Sequence, residues 1–466
     1  MPDNLFDLIV IGAGPGGYVA AIRASQLGLK TALVERDRLG GICLNWGCIP
    51  TKSLLKAAEL YDSFRHAGDF GIAFDNLRFD FGRVMKRSRD ASGRIVKGVE
   101  FLMKKNGIAL FQGTASFESR GVLAVQDREG KIQHLTGKRF LIATGARPRK
   151  LPGLATDGKV MFDSSGALSL EELPGSVVVI GAGAIGVEFS YFWNAFGSKV
   201  TLLEMMPQVL PQEDAELAEA LGKSLSRSGI KVRTGARVLA SAVKDGKAEI
   251  TFDRGKGPET VVADRCLVAV GVTGNVEGLG LEKVGVLVER GFITTGDHYV
   301  TSAPEILAVG DVIGAPLLAH VASAEALCAV EGLHDSSHPA RVDYDSFPSC
   351  TYCQPQLASI GLTEARARER GHELKIGRFP FRVLGKALAA GESEGMVKLV
   401  FDARYGELLG AHILGATATE QIAELGIAKN LEATYKEILG TIHAHPTMAE
   451  AVMEAAGQAY GEAIHV

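Results

Sequence analysis

The sequence predicts an α/β protein with two parallel-sheet domains and a third, C-terminal α+β domain. Three observations support this fold class. The chain has 466 residues, and domains usually contain about 150 residues each. A unit consisting of a short apolar strand, a glycine turn and an Ala-rich helical stretch occurs twice, and the residue pattern changes after about Phe347. The 56 glycines, with 16 prolines and no triplet repeat, indicate tight turns rather than collagen.

The composition excludes several classes of protein. The formal charge is −4 without a long run of Lys or Arg, which argues against nucleic acid or an anionic membrane as partner. Apolar stretches are short and interrupted by glycine, so none is predicted to span a membrane. Residues 1–7 lack the basic start and apolar segment of a secretory signal. We therefore expect a cytoplasmic protein that binds small molecules, although a trimmed organellar form stays open.

The first repeated unit predicts a dinucleotide site. A continuous apolar run, residues 8–11, precedes Gly12, Gly14 and Gly17, and Glu35 ends the next apolar strand. The first glycine allows the turn, the second lets the backbone approach a pyrophosphate, and the third packs the helix against the strand. The helix N-terminus adds amide donors and a positive dipole. Glu35 is expected to accept hydrogen bonds from the adenosine ribose.

The second unit predicts a second dinucleotide. Gly181, Gly183 and Gly186 repeat the spacing, and Glu204 follows the first of them at the same interval. A carboxylate at this strand end favours a free 2′-hydroxyl and repels a 2′-phosphate. The two residues after Glu204 are methionines, so no Arg is available there for a phosphate. NAD is therefore expected rather than NADP, with a solvated strand-end carboxylate as the alternative interpretation of Glu204.

The later part of the chain carries further periodic segments. Two short apolar strands, which end in glycine turns and are expected to rejoin the first domain, are residues 261–271 and 306–311. The C-terminal domain is expected to contain strands at residues 397–401 and 409–414 and helices at residues 418–432 and 447–462.

Cys43 and Cys48 form the candidate redox centre. A helix is predicted from about Ser53, with Pro50 suited to a first helical turn. Five positions on one helix would point the two side chains apart, so a disulfide requires Cys43 in the glycine-containing loop and Cys48 at the helix start. There the helix dipole and Lys52 would favour a thiolate. Two buried cysteines are the alternative, but a transient, catalytic disulfide is favoured beside a dinucleotide motif.

The chain contains a second cysteine pair and a histidine with a nearby glutamate. Cys350 and Cys353 are expected to be structural, because no second pair has metal-ligand spacing. His445 is expected at the mouth of a helix whose first turn carries Pro446, within reach of Glu450. A carboxylate on one imidazole nitrogen makes the other nitrogen a better base. A metal pair with His443 lacks a third ligand, so no metal site is predicted.

Several further motifs accompany these, and they appear in a fixed order along the chain. They are Gly40–Cys43 continuing to Lys52, Ala143–Gly145, Ala308–Asp311, and His445–Pro446 with Glu450. With the two glycine motifs, they make the whole chain resemble the pyridine-nucleotide disulfide oxidoreductases. The resemblance implies an α/β fold with two Rossmann-like dinucleotide-binding domains plus a C-terminal α+β dimerisation domain. It further implies FAD in the first pocket, NAD in the second and a homodimer.

The resemblance also assigns boundaries. It implies that residues 1–147 form the first part of an FAD-binding domain and residues 148–271 an NAD-binding domain. Residues 272–345 would form the central part of the FAD-binding domain, and residues 346–466 the interface domain.

Residue roles follow from the resemblance alone. Cys43 would exchange with substrate and Cys48 would lie against the flavin. Lys52 and Glu188 would form an ion pair beside the flavin, and Asp311 would bind the ribityl chain. His445 with Glu450 would act as the base contributed by the partner subunit.

Three further residues are expected to contribute to cofactor binding: Thr144, Gly145 and Gly271. The stretch Gly271–Asn275 lacks the Arg-and-Pro form common in the family, which leaves the contact there open.

The implied activity is oxidation of protein-bound dihydrolipoamide to lipoamide with reduction of NAD⁺. The implied partners are lipoyl domains of 2-oxoacid dehydrogenase or glycine cleavage complexes, and which complex is served stays open. The alternative is an NADPH-dependent disulfide or metal-ion reductase of the same family. Glu204 opposes NADPH, and residues 457–466 contain no cysteine pair of the mercury-reducing kind. A flavin-bearing structural subunit is a further alternative, opposed by the complete set of redox and base residues.

Overall fold

The computed structural model describes residues 5–154, 156–335 and 337–465. The chain forms two units. The first contains residues 1–53, 82–149 and 271–342, and the second contains residues 54–81, 150–270 and 343–466.

The first unit is built on a sheet that is parallel at its centre. Its strands are β1 (Leu5–Ile11), β2 (Thr31–Glu35), β3 (Ala109–Gln112), β4 (Thr114–Ser119), β5 (Val122–Gln126), β6 (Ile132–Ile142) and β19 (Ile306–Ala308). The order is β3-β2-β1-β6-β5-β4, and β19 pairs with residues 140–142 of β6, beyond the part of β6 that pairs with β5. The pairs among β1, β2, β3, β6 and β19 are parallel. Leu8, Ile9 and Val10 are fully buried, as expected for a continuous apolar run covered on both faces.

Helices and short ribbons complete the first unit. The helices are α1 (Pro15–Gln26), α2 (Gly41–Trp46), α3 (Cys48–Arg65), α4 (Phe81–Lys105), α8 (Leu281–Val284) and α9 (Ala319–His334), of which α3 continues into the second unit. The antiparallel ribbons pair β7 (Ala146–Pro148) with β16 (Val272–Gly274), and β17 (Val288–Glu289) with β18 (Phe292–Ile293).

The second unit contains a second parallel sheet. Its strands are β8 (Met161–Phe162), β9 (Ser176–Ile180), β10 (Lys199–Leu203), β11 (Lys231–Arg233) and β15 (Arg265–Val268), in the order β11-β10-β9-β15-β8. An antiparallel sheet follows, with strands β12 (Arg237–Lys244), β13 (Lys247–Asp253) and β14 (Pro258–Ala263). The helices of this part are α5 (Ser164–Ala167), α6 (Ala184–Ala195) and α7 (Ala215–Arg227).

The expectation for residues 261–271 is wrong in two respects. These residues are not one strand, since they cover the end of β14 and the whole of β15, and β15 pairs with β9 rather than with the first sheet. Asp264 separates the two strands: its carboxylate accepts hydrogen bonds from the Ser176 backbone amide and hydroxyl, each at 2.9 Å. This anchor starts β15 beside the beginning of β9. For residues 306–311 the expectation is confirmed, because β19 joins the first sheet.

The C-terminal part of the second unit is an antiparallel sheet covered by helices. The strands are β20 (Pro348–Thr351), β21 (Gln356–Gly361), β22 (Leu374–Pro380), β23 (Met396–Asp402) and β24 (Leu408–Gly415), in the order β20-β21-β24-β23-β22. The helices are α10 (Glu364–Glu369), α11 (Gly385–Ala390), α12 (Ala418–Asn430), α13 (Tyr435–Gly440) and α14 (Glu450–Tyr460). The predicted third α+β region is confirmed. The last helix begins later than expected, at Glu450, so Pro446 lies in the preceding loop rather than in its first turn.

A buried ion cluster links α7 to the C-terminal sheet within the second unit. Lys398, whose side chain is 3% exposed, donates to both oxygens of Asp214 at 2.9 and 3.0 Å. Glu216 and Glu364 each lie 3.0 Å from the same ammonium. Asp214 also caps α7, accepting from the Glu216 amide at 3.1 Å. Three carboxylates therefore converge on one buried cation.

No helix among the described residues is long and apolar enough to cross a bilayer.

Candidate redox site

The carboxyl ends of the parallel strands gather the predicted residues of the first unit at one edge of its sheet. Gly12 follows β1, Glu35 ends β2, Thr144 lies just beyond β6, and Asp311 follows β19. Because these four strands are parallel, their carboxyl ends meet at the same edge, where open α/β sheets bind their ligands.

The first glycine turn has the shape that a dinucleotide requires. Gly12 has φ +97°, and a Cβ there would meet the Ala143 carbonyl oxygen. A Cβ on Gly17 would meet the Gly12 carbonyl oxygen, because α1 packs directly on the turn. At Gly14, by contrast, the nearest atom to an added Cβ is 4.0 Å away. The backbone is thus tight behind the turn and open in front, which fits a pyrophosphate at the N-terminus of α1.

The second turn reproduces this geometry. Gly181 has φ +101° and a Cβ there would meet the Ala269 carbonyl oxygen, while a Cβ on Gly186 would meet the Gly181 carbonyl oxygen. Nothing lies within 4 Å of a Cβ added at Gly183. The repeat in the sequence is therefore a repeat of two ligand cradles.

The two strand-end acids are held in the same way. Glu35 accepts from the Ala13 amide at 2.8 Å and from the Asp37 amide at 2.7 Å. Glu204 accepts from the Ala182 amide at 2.7 Å and from the Met206 amide at 2.8 Å. Each of the two residues is 8% exposed, and its carboxylate is fixed at the rim of its glycine turn. A solvated strand-end carboxylate, the alternative interpretation of Glu204, is wrong.

Cys43 and Cys48 form a disulfide with their Cα atoms 4.7 Å apart. Cys43 lies within the short helix α2 rather than in a loop, which corrects that expectation. Cys48 stands at the start of α3 as expected, although the helix begins there rather than at about Ser53. Gly47 has non-helical dihedral angles and separates the two helices, so the sulfurs face each other despite their helical neighbours. The loop before α2 is joined to the first glycine turn by a hydrogen bond from the Gly40 amide to the Ala13 carbonyl, 2.8 Å long.

Thr144 and Gly145 are tied to the segment that departs from the family pattern. The Thr144 hydroxyl donates to the Asn275 carbonyl at 2.8 Å, the Asn275 side chain donates to the Thr144 carbonyl at 2.9 Å, and the Asn275 amide donates to the Gly145 carbonyl at 2.9 Å. Gly271 accepts from the Arg149 amide at 3.0 Å. The departure at residues 272–275 is thus part of the β7–β16 ribbon, where Asn275 supplies the bonds.

Asp311 lies on a 3₁₀ turn, Gly310–Ile313, directly after β19. Burial, together with the charge of Glu325, raises the pKa of Asp311 to about 6. Glu325 is 2% exposed and accepts from the Gly310 amide at 2.7 Å. Sequence reasoning did not find Glu325, because it lies on α9 and meets Gly310 only through the fold.

Lys52 and Glu188 belong to different units. Lys52 lies in the first turns of α3, and Glu188 lies on α6, where it is 3% exposed and accepts from the Tyr352 amide at 3.0 Å. Their pairing beside a flavin stays a prediction.

His445 and Glu450 are brought together as predicted. Nδ1 of His445 lies 2.8 Å from Oε1 of Glu450, and the imidazole is 77% exposed. Burial opposes ionisation of Glu450, but hydrogen bonds from His445 and from the Thr447 amide hold its pKa below the usual value. His443 does not join them. Its Nε2 contacts Glu424 at 2.6 Å, and that hydrogen bond raises the pKa of His443.

Cys350 and Cys353 are thiols rather than a disulfide, and the Cys353 thiol contacts the Pro355 carbonyl at 3.2 Å.

Comparison with known proteins decides the family. Residues 6–326 match the family described as pyridine nucleotide-disulphide oxidoreductase, and residues 347–456 match its dimerisation domain. The chain belongs to the pyridine nucleotide-disulphide oxidoreductases. This confirms the resemblance and the fold class, and the dimerisation domain supports a homodimer.

Curated members of this family resemble the chain over nearly its whole length. Dihydrolipoyl dehydrogenase of Rhizobium etli is 46% identical, with 99% of each chain covered. Dihydrolipoyl dehydrogenase of Chlorobaculum tepidum is 47% identical, with 97% of this chain and 96% of the relative covered. Dihydrolipoyl dehydrogenase of Bacillus subtilis is 43% identical, with 99% of each covered.

Solved structures of similar proteins have the same architecture. LpdA from Mycobacterium tuberculosis superposes with a TM-score of 0.89 at 25% identity, covering 96% of this chain and 98% of that one. The HOCl-induced flavoprotein disulfide reductase RclA from Escherichia coli, as its Cu(II) complex, gives a TM-score of 0.87 at 26% identity, covering 97% and 99%. The protein is thus an oxidoreductase of a family that uses FAD and NAD, and its two glycine cradles fit these dinucleotides.

Proposed function

We propose that the protein oxidises dihydrolipoamide to lipoamide and passes the two electrons to NAD⁺. The observation that carries this proposal is the Cys43–Cys48 disulfide, held against the first glycine turn through the Gly40 amide. Its support is the identity of 41–47% to dihydrolipoyl dehydrogenases over nearly the whole chain.

His445 serves as the base that activates the substrate thiol. Its Nδ1 faces Glu450, so the carboxylate fixes the tautomer and leaves Nε2 to take the proton. The exposure of the imidazole agrees with a substrate that arrives from outside the subunit. In a homodimer, His445 of one subunit serves the disulfide of the other.

The sulfur chemistry then runs in two exchanges. The substrate thiolate attacks Sγ of Cys43, the Cys43–Cys48 bond breaks, and a mixed disulfide forms. The second substrate thiol attacks the substrate sulfur of that mixed disulfide, which releases lipoamide and leaves both cysteines reduced. The N-terminus of α3 favours the thiolate form of Cys48. Bound FAD and NAD⁺ supply the two-electron and hydride-transfer chemistry that restores the disulfide.

The other predicted residues position the cofactors. Lys52 and Glu188 are proposed to pair beside the flavin and Asp311 to bind its ribityl chain. Thr144, Gly145 and Gly271 are proposed to contribute backbone contacts. The proposed division of the chain assigns FAD to residues 1–147 and 272–345, NAD to residues 148–271, and the subunit interface to residues 346–466.

NAD rather than NADP is supported by Glu204. Its buried carboxylate accepts two backbone hydrogen bonds, so it is fixed in place and cannot move away from a 2′-phosphate. A fixed carboxylate beside the glycine turn repels a 2′-phosphate, which opposes NADPH and with it the alternative of an NADPH-dependent reductase.

The physiological reductant is proposed to be a lipoyl domain of a 2-oxoacid dehydrogenase or glycine cleavage complex, encountered in the cytoplasm.

The proposal is tested by measuring NADH formation from dihydrolipoamide and NAD⁺ with the FAD-loaded enzyme. Cys48→Ser should keep FAD but lose turnover by a factor on the order of 10³ or more, because no disulfide can accept the electrons. The control is Cys328→Ser, since Cys328 is a partly exposed free thiol that contacts the Pro339 carbonyl. Unchanged turnover in Cys48→Ser, or no turnover in the wild type, would reject the proposal.

A further inference from the structure

Trp46, one of the four residues between the two redox cysteines, contacts two arginines. Trp46 is the last residue of α2 and is followed by Gly47 and Cys48. The guanidinium of Arg89 lies 5.2 Å from the centroid of the Trp46 ring, and that of Arg38 lies 5.6 Å from it. Both distances are within the range in which a cation is attracted to an indole face.

Arg89 also holds the backbone of this segment. It projects from α4, and its Nη1 donates to the Asn45 carbonyl at 2.7 Å. The last carbonyls of a helix lack partners within it, and a cation there also opposes the negative end of the helix dipole. The Asn45 side chain is itself buried and donates to the Leu39 and Gly41 carbonyls at 2.9 and 3.0 Å. Helix α2 is therefore fixed at its start by Asn45 and at its end by Arg89.

Burying part of the Arg89 guanidinium is unfavourable, so its contacts in this position must compensate for that burial. Its Nε and Nη2 atoms are buried without a hydrogen-bond partner in the described part of the chain. Burial, with the nearby charge of Arg38, lowers the pKa of Arg89. A guanidinium with unmet donors is unfavourable unless other contacts compensate. The compensating contacts are the Asn45 carbonyl and the Trp46 ring, and both belong to the segment between the cysteines.

We propose that Arg89 is a positioning residue for the redox disulfide. Gly47 interrupts the two helices directly before Cys48, so the local chain alone does not fix the separation of the sulfurs. Arg89 fixes Asn45 and Trp46, and thereby keeps Cys43 facing Cys48. The guanidinium of Arg38, 5.6 Å from the ring centroid, assists. This deepens the proposed function, because it concerns how readily the same disulfide closes after each substrate oxidation.

The direct test is the equilibrium between the FAD-loaded protein and glutathione. In this reaction the Cys43–Cys48 bond takes two electrons and two protons, while two glutathione thiols become one glutathione disulfide. Rapid alkylation and mass measurement give the fraction of dithiol at each glutathione ratio. In Arg89→Met the equilibrium constant for closing the disulfide should fall about tenfold, as expected for losing a charge-assisted hydrogen bond and a cation–π contact. Arg89→Lys keeps the charge over Trp46 and should recover part of this loss.

The matched control is Arg87→Met on the same helix. Arg87 is exposed, so the glutathione equilibrium of Arg87→Met should match that of the wild type. An Arg89→Met equilibrium within twofold of the wild type would overturn the proposal. So would a lower melting temperature with an unchanged equilibrium, because Arg89 would then only stabilise the fold.

The two proposals fail separately. If the wild type does not oxidise dihydrolipoamide but Arg89→Met still shifts the glutathione equilibrium, the proposed function is wrong and the positioning role of Arg89 stands. If turnover is present but the equilibrium does not respond to Arg89, the reverse holds.

Discussion

Lys398 shows at the scale of one residue what a buried charge needs from its surroundings. Its ammonium contacts three carboxylates, and removing one partner of a buried pair leaves the others uncompensated. Lys398→Met should therefore lower the free energy of unfolding by about 3–5 kcal/mol at pH 7. Urea unfolding of the FAD-loaded protein, followed by circular dichroism, measures this loss.

The same variant should depend on pH in a defined direction. Although burial opposes it, His412 and Lys398 together hold the pKa of Asp214 below the usual value, and hydrogen bonds from Lys398 and Arg368 do the same for Glu364. Stability from a depressed carboxyl pKa is present above the unfolded-state value and is lost as pH falls through the folded-state value. The deficit of Lys398→Met should thus be largest near pH 7 and shrink only below about pH 4, so that it is smaller at pH 3. Lys223→Met removes only an exposed pair with Glu219 and should change nothing. An equal deficit at both pH values would contradict this account.

Residues such as Lys398 and Arg89 could not be predicted from the sequence. Each meets its partners through tertiary contacts between distant segments, and neither has a local motif. Cys43, Cys48, His445 and Glu450 were predictable because their spacing is short and their chemistry specific. Even there, the sequence pointed to a helix carrying Pro446 in its first turn, whereas α14 begins only at Glu450.

At the scale of elements, the two glycine turns separate folding from ligand binding. In α6, a Cβ on Gly186 would meet the Gly181 carbonyl oxygen, whereas one on Gly183 would meet open space. Gly183→Ala should keep the melting temperature but raise the KM for NAD⁺ about tenfold, because its methyl group occupies the pyrophosphate approach. Gly186→Ala should lower stability by about 3 kcal/mol or more through the clash.

The effect of Gly183→Ala should be confined to the half-reaction that uses NAD⁺. Reduction of the bound flavin by dihydrolipoamide does not need NAD⁺, so Gly183→Ala should leave its rate unchanged in a stopped-flow experiment. Gly222→Ala is the matched glycine control. Gly222 lies in the helix α7, and the nearest atom to its added Cβ is a side-chain atom at 3.7 Å. This variant should neither lower the melting temperature nor raise the KM for NAD⁺. A Gly183→Ala protein with normal NAD⁺ affinity would show that the pyrophosphate binds elsewhere.

The elements were predictable where one physical signal dominated. Residues 8–11 and Thr31–Glu35 became strands because continuous apolar runs suit a sheet covered on both faces. For residues 261–271 the same signal misled, since the hydrogen bonds of Asp264 break an otherwise apolar run and direct its second half to β9. Helix α2 was missed because it spans only six residues, too few for a periodic pattern to emerge.

At the scale of the whole molecule, the dimerisation domain and the exposed His445 imidazole are consistent with active centres shared between two subunits. If His445 of each subunit serves the disulfide of the other, every active centre needs two chains. A subunit lacking Cys48 still offers its base, and a subunit lacking His445 still offers its disulfide. Two inactive chains can then complement each other.

Hybrid dimers of Cys48→Ser and His445→Gln subunits test this arrangement. Co-expression with two different tags and tandem purification yield the hybrid, which contains one complete centre and one that lacks both groups. Its NADH formation from dihydrolipoamide should reach about half of the wild-type rate, while each parent homodimer stays nearly inactive. Hybrids of Cys48→Ser with Cys43→Ser are the control, because every disulfide in them lacks one sulfur. A silent Cys48→Ser/His445→Gln hybrid would mean that each subunit completes its own centre, and His445 would then have to act within its own chain.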